Sequence, residues 1–162
     1  MPELAAIALG SNLGDKRAVL RSALASLARL PRSTLLAASS FHVTKPVMPG
    51  SSAEPQPDYL NAAAVLRTGL APRELLDHLL EIEREHGRTR TPGLRWEPRT
   101  LDLDLLLVGS VQYDEPGLRL PHPRLHERAF VLVPLAEVLP DAIVPVLGVS
   151  VRDLRALARS RI

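Results

Sequence analysis

The sequence predicts an α+β fold of ferredoxin-like order, an antiparallel sheet with helices packed on it and long loops over one region. Two observations carry that expectation. Segments of strand and helix pattern follow one another as strand–helix–strand–strand–helix–strand. Two irregular stretches, 45–57 and 88–100, are too long for simple connections and too embedded to be linkers. The 162 residues fit one domain spanning the chain, long enough to bury a real core.

The first strand is the apolar run Leu4 to Leu9. Gly10-Ser11-Asn12-Leu13-Gly14-Asp15 follows with turn and helix-cap residues. Leu20, Leu24 and Leu27, with Ala23 and Ala28, have helical spacing, and Pro31 marks the end of that helix. Thr34 to Val43 reads as the second strand. Lys45 to Pro57 then carries Pro46, Pro49, Gly50, Pro55 and Pro57, the composition of a lid. Tyr59 to Leu66 resumes as a strand with Asn61 inside it. Asparagine suits a strand interior poorly, so it marks either a bulge or a ligand contact.

Pro72 opens the second helix, Leu75, Leu76, Leu79 and Leu80 form its apolar stripe, and Gly87 ends it. Glu83 continues the stripe, either as a solvated rim residue or as an acid facing a site. Residues 88–100 hold Arg88, Arg90, Arg95 and Arg99 and the chain's only tryptophan, Trp96. Beyond the next strand, Val111–Tyr113 and Leu118–Leu120 suit a small hairpin. Pro121-His122-Pro123 is a rigid turn presenting a histidine. Arg128 to Leu139 is helix-like with Pro134 interrupting it, and Val151 to Ala158 forms a last short helix.

The segment after the arginines, Thr100-Leu101-Asp102-Leu103-Asp104-Leu105-Leu106-Leu107-Val108, carries the chemistry. Side chains alternate faces along a strand, so Asp102 and Asp104 point the same way and Leu101, Leu103 and Leu105 the other. Two neighbouring carboxylates on an apolar strand repel each other and cost desolvation. A hard cation such as Mg²⁺, which takes oxygen ligands and brings substrate phosphates with it, would compensate them. So would salt bridges to Arg95 and Arg99.

Composition narrows the field. The chain has no cysteine, which excludes disulfides, thiolate chemistry and zinc–cysteine sites and fits a reducing cytoplasm. No basic, apolar leader opens it, and no apolar run approaches the ~18 residues of a membrane span. Net charge is +2, with arginine clustered between 84 and 99. Arginine's planar fork suits phosphate. Aromatic residues make up 3% of the chain, too few to pave a strand surface for stacking bases, so a nucleic-acid module is disfavoured.

Taken together, Gly10-Ser11-Asn12, Pro57-Asp58-Tyr59-Leu60-Asn61-Ala62-Ala63, Gly87-Arg88-Thr89-Arg90, Arg95-Trp96-Glu97-Pro98-Arg99-Thr100-Leu101-Asp102-Leu103-Asp104 and Pro121-His122 resemble the 6-hydroxymethyl-7,8-dihydropterin pyrophosphokinases of folate biosynthesis. The resemblance covers nearly the whole chain, and Arg-x-x-Thr-Leu-Asp-Leu-Asp is its specific signature. It implies transfer of the β,γ-pyrophosphoryl group of ATP to the pterin hydroxymethyl, releasing AMP. With no long exposed apolar stripe in the sequence, a monomer is the expected state, in the cytoplasm and without nucleic-acid or membrane partners. Asp102 and Asp104 would bind two Mg²⁺ ions. The pterin would lie between Phe130 and Trp96, with Asn61 reading its polar edge and Thr44, Lys45, Val47 and Tyr59 adjoining. Glu83, Arg90, Trp96, Arg99, Leu105, His122 and Arg128 match positions at the ATP site. Arg88 and Arg95 match catalytic arginines of a closing loop. The chain departs from the pattern at His42, Lys45, Glu97 and Pro123, where tyrosine, proline, glycine and an aromatic ring are common. Another Mg²⁺-dependent phosphotransferase or phosphohydrolase built on the two aspartates is the competing reading; it would release ADP without needing pterin.

Overall fold

The structure, a computed structural model, describes residues 2–45, 58–87 and 100–159. Its centre is β1 (Glu3–Ser11), which lies antiparallel between β4 (Tyr59–Thr68) and β5 (Asp102–Val108). Beyond β4, the sheet is continued by β2 (Ser33–Ala38) and, further along the same edge, by β3 (His42–Thr44). Counting β2 and β3 as one interrupted strand, the spatial order is second, third, first, fourth. That is the ferredoxin-like crossing the sequence predicts.

A strand covered on both faces must be apolar on both. In β1, Ala5, Ile7 and Leu9 face one way and Ala6 the other. On the first face lie α1 (Lys16–Ala28), through Leu20, Ala23 and Leu27, and α2 (Pro72–Glu85), through Leu75, Leu79 and Ile82. Asp15 caps α1 by accepting the Ala18 N–H at 3.1 Å. Pro72 starts α2, and Glu74 accepts the Ala71 N–H at 3.0 Å. The second face is covered by α3 (Ala129–Val138) and α4 (Val151–Arg159), whose Val131, Leu132, Leu135, Val151 and Leu154 pack on Ala6, Ala63, Leu106 and Leu107.

Several boundaries differ from expectation. Gly10 and Ser11 belong to β1 rather than to the turn. Thr34–Val43 is two strands, not one. At the break the Ser39 N–H donates to the Ala63 carbonyl at 2.8 Å, and the Ser39 hydroxyl accepts the Ala63 N–H at 2.9 Å. The hydroxyl stands in for a backbone acceptor, so the chain can turn away without orphaning Ala63. Pro134 does not interrupt α3: the helix runs through it with the ring buried, forgoing the one intrahelical hydrogen bond that a proline cannot give.

The small hairpin pairs β6 (Tyr113–Glu115) with β7 (Leu118–Leu120), so its first strand starts later than expected. A 3₁₀ turn at Leu125–Glu127 and a hairpin of β8 (Ile143–Val144) with β9 (Val149–Ser150) were not expected. Among the described residues, no helix is long and apolar enough to cross a membrane.

The apolar end of β5 has a specific cause. Ala6 pairs with Leu107, but Ile7 pairs with Leu105, leaving Leu106 as the extra residue of a bulge. Leu106 and Leu107 therefore both enter the second core, while Leu101, Leu103 and Leu105 stay in the first.

Candidate active site

Register across the sheet builds the site. His42 lies opposite Asn61, Asn61 opposite Gly10, and Gly10 opposite Asp102. One step along, Ala63 is opposite Ala8, which is opposite Asp104. Residues directly opposite one another share a face. This face is the one that α3 partly covers, because Ala63 and Leu106 pack there. Asn61 thus stands on one side of a floor of small residues and the two aspartates on the other. Their strands are separated by β1, a span of roughly 10 Å, or two strand spacings.

Gly10 keeps the middle of that floor open. A Cβ placed on it would lie 3.3 Å from Asn61 Oδ1 and 3.9 Å from the Tyr59 ring. Asn61 is buried, at 5% exposure, and its Nδ2 donates to Thr44 Oγ1 at 2.6 Å, which fixes the plane of its amide.

At the acidic end, Arg128 Nη1 lies 3.8 Å from Asp104 Oδ2. The same guanidinium sits 5.8 Å from the centre of the Phe130 ring. Arg128 immediately precedes α3 and Phe130 lies in its first turn, so one helix start supplies both a cation and an aromatic face. His122 follows β7; its backbone N–H donates to Leu106 O at 2.9 Å. Its Nδ1 accepts the Arg124 N–H at 3.2 Å, which leaves the proton of the neutral ring on Nε2. Burial, then Arg128 and Arg124, lower its pKa to about 4, against a smaller opposing pull from Asp102. At neutral pH His122 is an uncharged donor within the field of Asp102.

The model of the family described as 7,8-dihydro-6-hydroxymethylpterin-pyrophosphokinase matches residues 6–140. The chain belongs to this family. It is 47% identical over 139 residues to the 2-amino-4-hydroxy-6-hydroxymethyldihydropteridine pyrophosphokinase of Pseudomonas aeruginosa, covering 86% of this chain and 82% of that one. To the enzyme of that name from Bacillus subtilis it is 46% identical over 138 residues, covering 85% and 79%. Among solved structures it resembles Plasmodium falciparum HPPK-DHPS with pterin and p-hydrobenzoate, with a TM-score of 0.73 and 14% identity, covering 99% of this chain and 45% of that one. The same protein in wild-type form with STZ-DHP gives a TM-score of 0.75 at 14% identity, with 99% and 44% covered. The chain thus spans less than half the length of those solved chains, and the likeness shows a shared fold.

Of the positions the pyrophosphokinase resemblance picks out, the structure gathers Thr44, Asn61, Asp102 and Asp104 on one face, with Arg128 beside Asp104. Glu83 is not a solvated rim residue. It is buried, at 3% exposure, and its Oε2 accepts the Leu103 N–H at 2.8 Å. It therefore pins β5 at the residue between the two aspartates. The Leu105 side chain lies in the first core, on the face opposite Asp104. Lys45 is exposed, its Nζ 3.9 Å from Asp58 Oδ1, and Tyr59 is half-buried opposite Thr44. Val47, Arg88, Arg90, Arg95, Trp96 and Arg99 lie outside the described residues.

Among the described residues no three acidic or histidine side chains cluster as a complete metal cage. Two carboxylates suffice for Mg²⁺, which keeps several waters and shares its remaining positions with phosphate oxygens. The donor set fits. Sequence reasoning missed the role of Gly10 in the floor. A glycine within a strand signals close approach of another group, and that signal was available once Gly10 belonged to β1.

Proposed function

We propose that this face is where the chain carries out its family's reaction, transfer of a pyrophosphoryl group from ATP to hydroxymethyldihydropterin in folate biosynthesis. The observation that supports it best is the register that sets Asn61, Gly10 and Asp102 in one row of a single face. A neutral, flat, hydrogen-bonding acceptor suits a floor of small residues with a fixed amide at one edge. A triphosphate needs positive charge and hard-cation ligands, which lie at the other.

Asp102 and Asp104 would hold two Mg²⁺ ions, which when bound neutralise the triphosphate. Asn61, held by Thr44, donates to and accepts from the polar edge of the pterin. Phe130 supplies one aromatic wall and Trp96 the other, with Lys45, Val47 and Tyr59 at the margin. His122 offers its Nε2–H to a phosphate oxygen without adding charge that would compete with the cations. Arg128, already beside Asp104, turns toward the nucleotide, joined by Arg90, Arg99 and Trp96, while Glu83 supports β5 from the opposite face and the Leu105 side chain stays in the first core. Arg88 and Arg95 complete the closed site and exclude water that would otherwise hydrolyse ATP. Positioning and charge neutralisation, rather than a strong base, are what this class of transfer demands. The protein would act in the cytoplasm as a monomer, with no nucleic-acid or membrane partner.

The test is incubation with ATP, Mg²⁺ and 6-hydroxymethyl-7,8-dihydropterin, followed by separation of the nucleotides. AMP formed in step with pterin pyrophosphate is the expected result. ADP released without pterin would make the chain a different phosphotransferase or a phosphohydrolase.

A further inference from the structure

We infer that Glu137 is a positioning residue for the acceptor: from α3 it clamps the β2–β3 connection and so sets the spacing between Phe130 and Asn61. This deepens, and rests on, the reading that the acceptor lies over Gly10, against Phe130 and with Asn61 at its polar edge. Glu137 lies near the end of α3, about 10 Å along the helix axis from Phe130 at 1.5 Å per residue. Its Oε2 accepts the backbone N–H of Ser40. Its Oε1 accepts the Ser40 hydroxyl at 2.7 Å and lies 3.0 Å from His42 Nε2. Three groups of one short segment thus converge on a single carboxylate.

That segment bears on the site directly. His42 is the β3 residue opposite Asn61, and two residues on Thr44 accepts the Asn61 amide at 2.6 Å. Moving Ser40 and His42 would move Thr44, and with it the group that orients Asn61. Ser39 ties the other end of the break to Ala63, the next residue on the Asn61 face. The two hydrogen bonds from Ser40 draw the Glu137 pKa down, with His42 adding to them, so the clamp is ionised at neutral pH and its bonds are charge-assisted.

A nucleophilic role for the same three residues does not fit. Ser40 Oγ lies 3.3 Å from His42 Nε2, the nitrogen that also faces Glu137. A serine–histidine–carboxylate relay needs the serine and the acid on opposite ring nitrogens. The Ser40 proton is moreover given to Glu137. The cluster is a brace.

The experiment compares Glu137→Ala, Ser40→Ala and Asn61→Ala by steady-state kinetics in each substrate, with thermal melts of each. Glu137→Ala is expected to raise the pterin KM about tenfold, the scale of one charge-assisted hydrogen bond. The ATP KM and the kcat at saturating pterin should stay within about twofold, on the reasoning that only acceptor positioning is lost. Ser40→Ala should give a smaller rise that disappears in the Glu137→Ala background. An unchanged pterin KM in Glu137→Ala alongside a raised one in Asn61→Ala would sink the clamp and leave the acceptor reading standing. No change in either variant would remove both. Equal rises in both KM values with a lowered melting temperature would mark Glu137 as generally structural and overturn the inference.

Discussion

Removal of the Glu83 carboxylate tests how the acidic strand is held. Glu83 is 3% exposed and accepts the Leu103 N–H at 2.8 Å. Glu83→Ala leaves that amide inside the protein without this acceptor, a cost of about 2 kcal/mol. The lost methylene adds about 0.8 kcal/mol of transfer energy, so the variant should lose about 3 kcal/mol. For a domain of this size that corresponds to a drop of roughly 6–12 °C in Tm. Glu83→Gln keeps a carbonyl oxygen for Leu103 and should cost less, about 1 kcal/mol for the lost charge assistance of that bond. Both variants should bind Mg²⁺–ATP less tightly, because Leu103 lies between Asp102 and Asp104. Calorimetric melts and nucleotide titrations read the two effects separately. If Glu83→Ala proves as stable as the wild type or more so, the burial cost of the carboxylate outweighs its bond, and the capping argument is refuted.

Three further outcomes follow from the same geometry. Asp102→Ala or Asp104→Ala should lower kcat by about three orders of magnitude with little change in Tm, because relief of the like-charge repulsion offsets the loss of weak attractions such as Arg128–Asp104; substantial residual turnover would remove the metal assignment. In the metal-free protein the His122 ring should titrate near pH 4 by NMR. Its folded pKa lies below the unfolded value of about 6.5, so its contribution to stability is intact above pH 6.5 and lost as pH falls from about 6.5 to about 4. A ring titrating near 6.5 would mean that it is not buried beside Arg128. Gly10→Ala, whose Cβ would meet Asn61 Oδ1 at 3.3 Å, should raise the KM for pterin and leave that for ATP alone; the reverse pattern would place the nucleotide over Gly10.

What the sequence disclosed divides along physical lines. The helices were legible because Leu20, Leu24 and Leu27, and Leu75, Leu76, Leu79 and Leu80, repeat with the helical period. The paired aspartates were legible because alternation alone fixes their common face. The break at Ser39 was not, since it depends on a hydroxyl replacing a backbone acceptor for Ala63, 24 residues away in sequence. The burial of Glu83 depends on an amide 20 residues later, and the clamp at Glu137 on donors 97 and 95 residues earlier. No local pattern encodes such partners. The two-residue strands β8 and β9 are too short to leave any period at all.

Even-numbered residues of β1 and odd-numbered residues of β4 build the floor, while their neighbours on each strand fill the first core. Floor and core are therefore coupled by counting. A single residue inserted just before Gly10, with Gly10 kept in register, would put Leu9 on the floor in place of Ala8 and bury an alanine in place of Ile7. Substitutions can vary these strands one position at a time, but changes of length cannot be shared out gradually between them. Insertions and deletions in relatives should then fall outside β1 and β4, in the connecting loops, and length variation across the family becomes a map of which backbone the chemistry has frozen.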